Sequence, residues 1–296
     1  MGNNMKAKKR VSLYKKQSVT GWAFLLPATL LIFAMNFYPM LQAFVLSFKT
    51  GIGNNQTWGG LSNYARLLKD GVFRTAITNN FFYLIIQVPV MLILAIFLLN
   101  KKELRGKGIY RTMIFLPCCT ALVSYSIIFK TLFAYDGYIN TVLLKLGLIG
   151  ERINWLGDVH TAKAIIILAL IWRWTGYNMV FYLAGLQNID DSLYEAAKID
   201  GASLFAIFRK ITIPLLRPTI LLTTIMSING TLQLFDESVN LTGGGPANST
   251  LTMSHYIYKA SFEYNPQFGY AAAMSYVIFI MVAILSFVQM KVGDKR

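Results

Sequence analysis

Charge is what this 296-residue sequence has least of. Asp, Glu, Lys and Arg make up 14% of it, against about a quarter in soluble domains. A surface facing water needs charge, so the shortage argues against a soluble globule more strongly than the 55% hydrophobic content does. Acidic residues are the rarer sign, 13 against 28 Lys and Arg, giving a net charge of +15. Such a balance suits nucleic-acid binding. Here, however, the basic residues lie between long apolar runs, and the sequence holds no zinc finger, basic zipper or aromatic RNA motif. Cysteine is limited to Cys118 and Cys119, adjacent within an apolar run, which excludes a disulfide framework. The two histidines, His160 and His255, are far apart and match no metal-ligand spacing, so no metal site is expected. The phosphate-binding pattern G-x-x-x-x-G-K-[ST] is missing too; Gly106-Lys107 lacks the upstream glycine. No set of nucleophile and base suggests an enzyme.

Long apolar runs are present. A helix crossing about 30 Å of hydrocarbon needs roughly 20 mainly apolar residues, and six segments qualify: 21–48, 80–99, 110–133, 162–186, 215–239 and 268–290. Backbone groups in lipid must be satisfied internally, so the spans are expected to be helices, making an all-α membrane protein of six transmembrane helices. The basic start before residue 21 resembles a signal peptide, but the apolar stretch is too long and no small-x-small cleavage site follows, so 21–48 is read as an uncleaved span.

Lys and Arg then set orientation. With the N-terminus inside, the segments 1–20, 100–111, 187–218 and 291–296 carry six, five, four and three basic residues, most of the 28. Both termini are therefore expected in the cytoplasm, the first as a basic topology anchor and the last as a short tail. Trp22, Trp58 and Trp155 lie near span ends, where amphipathic rings prefer to sit.

The inside loop 187–218 is too long and too patterned for a turn. Asp190 and Asp191 suit a helix start. Leu193, Ala196, Ala197 and Ile199 form an apolar stripe at helical spacing, and Gly201 breaks it. Ser203 can cap a second helix bearing Leu204, Ile207, Phe208 and Ile211, which Pro214 is expected to end as it opens the fifth span. A partly apolar helical hairpin facing water reads as a docking surface, with Glu195 offering a charge to an Arg or Lys of the partner.

Polar residues within spans are costly and face a cavity or another helix. In the fifth span Asn229, Gln233 and Asp236 recur at i, i+4 and i+7 on one face, beside Ser227 and Thr231. The fourth carries Trp172, Arg173, Tyr177 and Asn178 near its middle. Aromatic faces and planar amides are the groups that bind sugars, so Trp172, Tyr177, Asn178, Asn229 and Gln233 could line a substrate pathway. Equally, these residues could hold helices together. Arg173 could pair with Asp236 or Glu237, or recognise an anionic sugar.

The loop motif Glu195-Ala196-Ala197, Gly201, Ile211 and Pro214 resembles the EAA loop of ABC-type importer permeases, with Ile213 where leucine is usual. Tyr38-Pro39, Arg105 to Arg111 leading into Leu116-Pro117, Leu241 to Pro246, and Phe268 to Ser275 are similar to the carbohydrate branch of that family (maltose, multiple-sugar and glycerol-phosphate importers). The end Val292-Gly-Asp-Lys-Arg296 lacks the glycine-rich tail of the partner type, so the chain resembles the F-type subunit.

The resemblance implies a type I importer permease fold and a sugar carried by alternating access into a bacterial cell across its cytoplasmic membrane. It implies a second homologous permease, two cytosolic ATPases that hold the ATP and Mg, an extracellular sugar-binding protein, and no cofactor or ATPase site in this chain. It further implies that Glu195, Ala196, Ala197, Asp200, Gly201, Ala202 and Phe208 couple to the ATPase. Cys118, Leu122, Trp172, Gly176, Ser227, Thr231 and Leu234 fall at or near sugar-contacting positions, though Cys118, Leu122 and Leu234 are not polar. Gly243 to Pro246 is expected as an outer turn that meets the binding protein. The rival reading is a secondary transporter or channel without an ATPase; the spans hold no midplane carboxylates to support it.

Overall fold

A computed structural model describes residues 18, 20–100 and 107–293, except the side chains of 95–100, 107, 108, 110 and 111. The basic N-terminal residues 1–17, most of the basic loop 101–107 and the end of the tail, 294–296, lie outside the described residues or side chains.

Among the described residues, eleven α-helical segments and one β-hairpin follow in order, besides π turns at Ser238–Thr242 and Lys259–Glu263: α1 (Thr20–Ser47); the antiparallel strands β1 (Lys49–Ile52) and β2 (Asn55–Trp58); α2 (Ser62–Lys69), α3 (Gly71–Asn100), α4 (Lys107–Cys119), α5 (Leu122–Leu132), α6 (Tyr138–Lys145), α7 (Val159–Gln187) and α8 (Asp191–Ile199); α9 (Leu204–Leu232); α10 (Met253–Tyr258) and α11 (Phe268–Gly293). Among the described residues five helices, α1, α3, α7, α9 and α11, are long and apolar enough to cross a membrane. Caps start them where the sequence supplies short acids. Asp158 accepts from the N–H groups of His160 and Thr161 at the head of α7, at 2.9 and 3.1 Å. Asp70 does the same for Val72 and Phe73 at the head of α3, at 2.8 and 3.1 Å.

Three expectations need correction. The segment 110–133 is not one straight span: α4 and α5 meet at a bend of 112°. Pro117 lies in the last turn of α4, which ends at Cys119; Thr120 folds its hydroxyl back to the Pro117 carbonyl at 2.7 Å, and Ala121 is extended. Pro214, in turn, does not end the second loop helix. A π turn at Phe208–Thr212, closed by the Ile213 N–H on the Phe208 carbonyl, carries the helix past the proline into the span. The fifth helix also stops earlier than expected, at Leu232 rather than 239.

α1 and α9 run one way through the bundle, and α3, α7 and α11 run the other. Tyr276 of α11 donates to the Met40 carbonyl at 2.6 Å and its ring meets Phe44 at 5.1 Å, so the end of α1 lies beside the start of α11. Arg217 of α9 reaches the Val292 carbonyl at 3.4 Å, joining the hairpin end of α9 to the tail of α11. The start of α1, the tail of α11 and α8 therefore share one end of the bundle. The apolar core runs through α3, α7, α9, α10 and α11. The stretch from Trp22 to Leu41 of α1 stays outside it, exposed.

At the opposite end Asp70 gathers three elements. Besides capping α3 it accepts from the hydroxyls of Tyr256 (2.7 Å) and Tyr270. Burial opposes its charge, but the hydrogen bonds from Tyr270, Tyr256, Phe73 and Val72 outweigh that and hold its pKa below the ordinary value. A carboxyl whose folded pKa is depressed stabilises the fold above its unfolded pKa and loses that contribution as pH falls through the folded value. Asp70→Asn should cost about 1–3 kcal/mol, and the gap in thermal midpoint between variant and parent in detergent should narrow below about pH 4. A gap that persists into acid would show that the charge is not the cause.

Candidate functional site

Two regions carry polar chemistry, the hairpin at one end of the bundle and a set of breaks within it. The hairpin is built by its caps. Asp190 accepts from the Ser192 N–H at 2.9 Å, and that bond keeps the Asp190 carboxyl below its usual pKa. At the far end of α8 the Gly201 N–H reaches the Lys198 carbonyl (3.1 Å) and the Ala202 N–H reaches the Ala197 carbonyl (2.9 Å). These two bonds, with Gly201 at φ +71°, are a Schellman C-cap. Nothing lies within 4 Å of where a Cβ on Gly201 would stand. The glycine is required by backbone conformation, not by crowding. Ser203 then caps α9, accepting from the Ala206 N–H at 3.2 Å.

The turn leaves Glu195, Ala196, Asp200 and Gly201 exposed and Ala197 and Ala202 half-buried. Ile199, Leu204 and Phe205 join them as exposed apolar side chains, 85%, 79% and 70% open. Phe208 is placed differently from its neighbours in the expected coupling set: it packs against the cluster of Met179 and Tyr182. It anchors the hairpin, while Leu204 and Phe205 offer the apolar surface. Tyr194 and Thr212 tie the two arms through their hydroxyls at 3.3 Å.

Inside the bundle each break exposes carbonyls that an apolar surrounding cannot satisfy. The Pro117 and Thr120 carbonyls at the α4–α5 break are taken by the Arg173 guanidinium at 3.0 and 2.9 Å. The Thr231 and Leu232 carbonyls at the end of α9 are taken by the Asn80 side chain at 2.7 and 3.2 Å. Asn80 also accepts from the Met253 N–H at 3.0 Å, and Asn79 donates to the Asn248 and Leu251 carbonyls at 3.1 and 2.9 Å. Arg173 further stacks on the Tyr125 ring at 4.8 Å, and the Tyr125 hydroxyl donates to buried Glu237. Arg173 thus meets Glu237 through Tyr125, and its cationic face lies on the chain's own groups.

The expected pathway residues separate into two groups. Cys118 and Gly176 pack α4 on α7: the Cys118 thiol donates to the Arg173 carbonyl at 3.0 Å, and a Cβ on Gly176 would overlap the Ile114 carbonyl oxygen. Ser227 and Thr231 are buried against α3. The Thr231 hydroxyl sits 2.8 Å from the Ser227 carbonyl and 3.1 Å from Gln87 Oε1. Asn178 is buried, donating to the Trp174 carbonyl at 2.9 Å and to Met91 Sδ at 3.1 Å, while its Oδ1 has no protein partner.

Open surface belongs to the other group. Trp172 is 41% exposed and tilted on Phe129 at 5.4 Å; Gln233 is exposed and bonds half-buried Asn229 at 3.3 Å. Tyr177 is half-buried between Trp174 and Phe181, at 5.5 and 5.2 Å. Asp236 does not extend the Asn229–Gln233 face, because the helix has ended; its carbonyl accepts from Asn240 at 2.8 Å.

Residues outside the expected site sets hold the site together: Asn79, Asn80 and Gln87 of α3, Tyr125 of α5, and Trp174 in the polar run of α7, whose indole lies 3.6 Å from a Cβ position on Gly230. Three amides early in an otherwise apolar run were the available signal. Gly176→Ala should therefore lower thermal stability by about 1–3 kcal/mol through overpacking, whereas Gln233→Ala should stay within about 0.5 kcal/mol. Thermal unfolding in detergent checks both, and equal stability of the two variants would contradict the assignment of Gly176 to packing.

Residues 64–294 match the family described as "Binding-protein-dependent transport system inner membrane component". The lactose transport system permease protein LacF of Rhizobium radiobacter is 52% identical, over 97% of this chain and 98% of that one. The arabinooligosaccharides transport system permease protein AraP of Bacillus subtilis is 35% identical, over 95% and 90%. A crystal structure of a bacterial ABC transporter that imports the acidic polysaccharide alginate includes a chain of the same fold, with a TM-score of 0.83 at 22% identity over 97% of this chain and 99% of that one. With most of its length matched and its apolar helices arranged as in that fold, this chain is a multi-pass membrane protein that belongs to the inner membrane components of binding-protein-dependent transport systems.

Proposed function

We propose that the chain is the F-type permease subunit of an ATP-driven importer, carrying an oligosaccharide or disaccharide across a bacterial cytoplasmic membrane. The observation that carries this reading is the hairpin: a rigid, doubly capped helix pair with Glu195, Ala196, Ile199, Leu204 and Phe205 exposed, continuous with a long apolar helix. Its Schellman turn fixes the angle between α8 and α9, so a push on α8 is delivered to the whole of α9. Relatives named for lactose and arabinooligosaccharides support a sugar as cargo.

In this reading the hairpin faces the cytoplasm and docks on one of two ATPase subunits, which hold the ATP and Mg; this chain supplies no ATPase site and no cofactor. A second, homologous permease covers exposed Trp172, Gln233 and the open length of α1, and the sugar passes between the two. Trp172 and Tyr177 offer ring faces, and Asn229 and Gln233 offer amides for hydroxyls. An extracellular binding protein delivers the sugar to the end formed by α2, α10 and the turn after Thr242. ATP-driven closure of the ATPases moves the hairpins and opens the pathway to that side, and hydrolysis returns it. The cargo is taken to be an uncharged sugar, as lactose and arabinooligosaccharides are for the relatives named after them.

Two substitutions test the coupling. Glu195→Lys and Gly201→Asp should each abolish sugar uptake by the assembled complex, at least a hundredfold, with the chain still inserted and paired. Gly201→Asp also forces a side chain into a left-handed conformation that costs about 1 kcal/mol. Radiolabelled sugar uptake into vesicles, set beside the amount of purified complex, decides the matter; normal uptake in both variants would reject the coupling role.

A further inference from the structure

Arg173, Tyr125 and Glu237 come from three different elements and meet deep in the bundle, away from the hairpin. Tyr125 is fully buried and Glu237 is 2% exposed. A carboxylate and a guanidinium so placed are tolerated because each partly offsets the other, and the Tyr125 ring stands between them. Two neighbouring spans are incomplete at this level. The third turns by 112° into α5, and the fifth stops at Leu232, resuming only as the π turn Ser238–Thr242. The π turn packs on α5. On the end opposite the hairpin, α5 therefore lies across the bundle where a straight span would run along it.

We propose that Tyr125 and Glu237 form a latch, held in register by Arg173, that keeps α5 closed over the end of the transport path opposite the hairpin. The proposal rests on the transport reading above and gives it a gate. The break is a hinge fixed on the α4 side, where Arg173 grips the Pro117 and Thr120 carbonyls. Beyond the break the head of α5, at Ala121, Leu122 and Val123, is exposed, while Tyr125 and Phe129 pack on Ile165, Ile166, Leu234 and Leu241. Its polar tie to the segment after α9, beside that apolar packing, is the Tyr125 hydroxyl on Glu237. Release leaves a buried carboxylate without its donor, which is tolerable only if water enters. The latch therefore opens when this end of the path becomes aqueous, and stays shut otherwise. All three are positioning residues; none is assigned to touch the sugar.

The test uses the whole complex in lipid vesicles, with its ATPases and binding protein. It reads ATP hydrolysis with and without sugar-loaded binding protein, sugar uptake, and thermal stability. Tyr125→Phe keeps the ring over Arg173 and removes only the hydroxyl. It should raise sugar-independent hydrolysis about three- to tenfold and lower the ratio of stimulated to basal activity, with the amount of assembled complex unchanged. Glu237→Gln, whose amide oxygen still accepts the tyrosine proton, should stay within twofold of the parent. Glu237→Ala should match Tyr125→Phe, and the double variant Tyr125→Phe/Glu237→Ala should go no further than either alone. If Tyr125→Phe fails to assemble, the two Glu237 variants decide by the same readouts. A basal rate equal to the parent's in Tyr125→Phe or Glu237→Ala, with uptake intact, overturns the latch alone. Absence of ATP-driven uptake by the unaltered complex overturns the transport reading and the latch with it.

Discussion

A backbone carbonyl in an apolar surrounding must find a donor, and this protein is organised around that requirement. Unbroken helices meet it by themselves. Where the third and fifth spans break, four carbonyls lose their helical partners, and side chains from neighbouring helices take over: Arg173 for Pro117 and Thr120, Asn80 for Thr231 and Leu232. Each donor stitches an irregular segment to a regular span. The position of α5, the end of α9 and the packing of α10 all follow from those few bonds.

The same requirement separates structural polar residues from exposed ones. Thr231, Gln87 and the Asn178 amide N–H groups spend their hydrogen bonds inside the bundle. Trp172, Asn229 and Gln233 keep open surface. Arg173, which looked on charge alone like a receptor for an anionic cargo, is occupied by carbonyls and a tyrosine ring. The hairpin obeys the rule in water: Asp190, Ser203 and the Schellman turn satisfy the ends of two short helices. That leaves the side chains of α8 and the start of α9 available for another protein.

Much of this was legible beforehand because it depends on periodicity and local chemistry. Five of the six apolar runs coincide with long helices, since run length and helix length are set by the same rise per residue. The caps at Asp190 and Ser203 and the stop at Gly201 were readable because capping is a property of adjacent residues. The corrections are non-local. Nothing in the neighbourhood of Pro117 says that an arginine 56 positions on will hold the chain bent. A proline looked like a helix stop at Pro214, yet a π turn before it absorbed the missing donor. Asp236 was placed on a face by counting, but the helix had already ended, and its carbonyls had gone to Asn80.

By itself the sequence determined the apolar, helical character of the chain and the shape of the hairpin, because hydrophobic run length, capping residues and a left-handed glycine act over one or two turns. Tertiary structure alone decided where spans three and five break, which amides are structural and which are open, and that Arg173, Tyr125 and Glu237 meet. Those outcomes turn on which distant side chain reaches an orphaned carbonyl or a buried charge, and a distance of that kind exists only once the helices are packed.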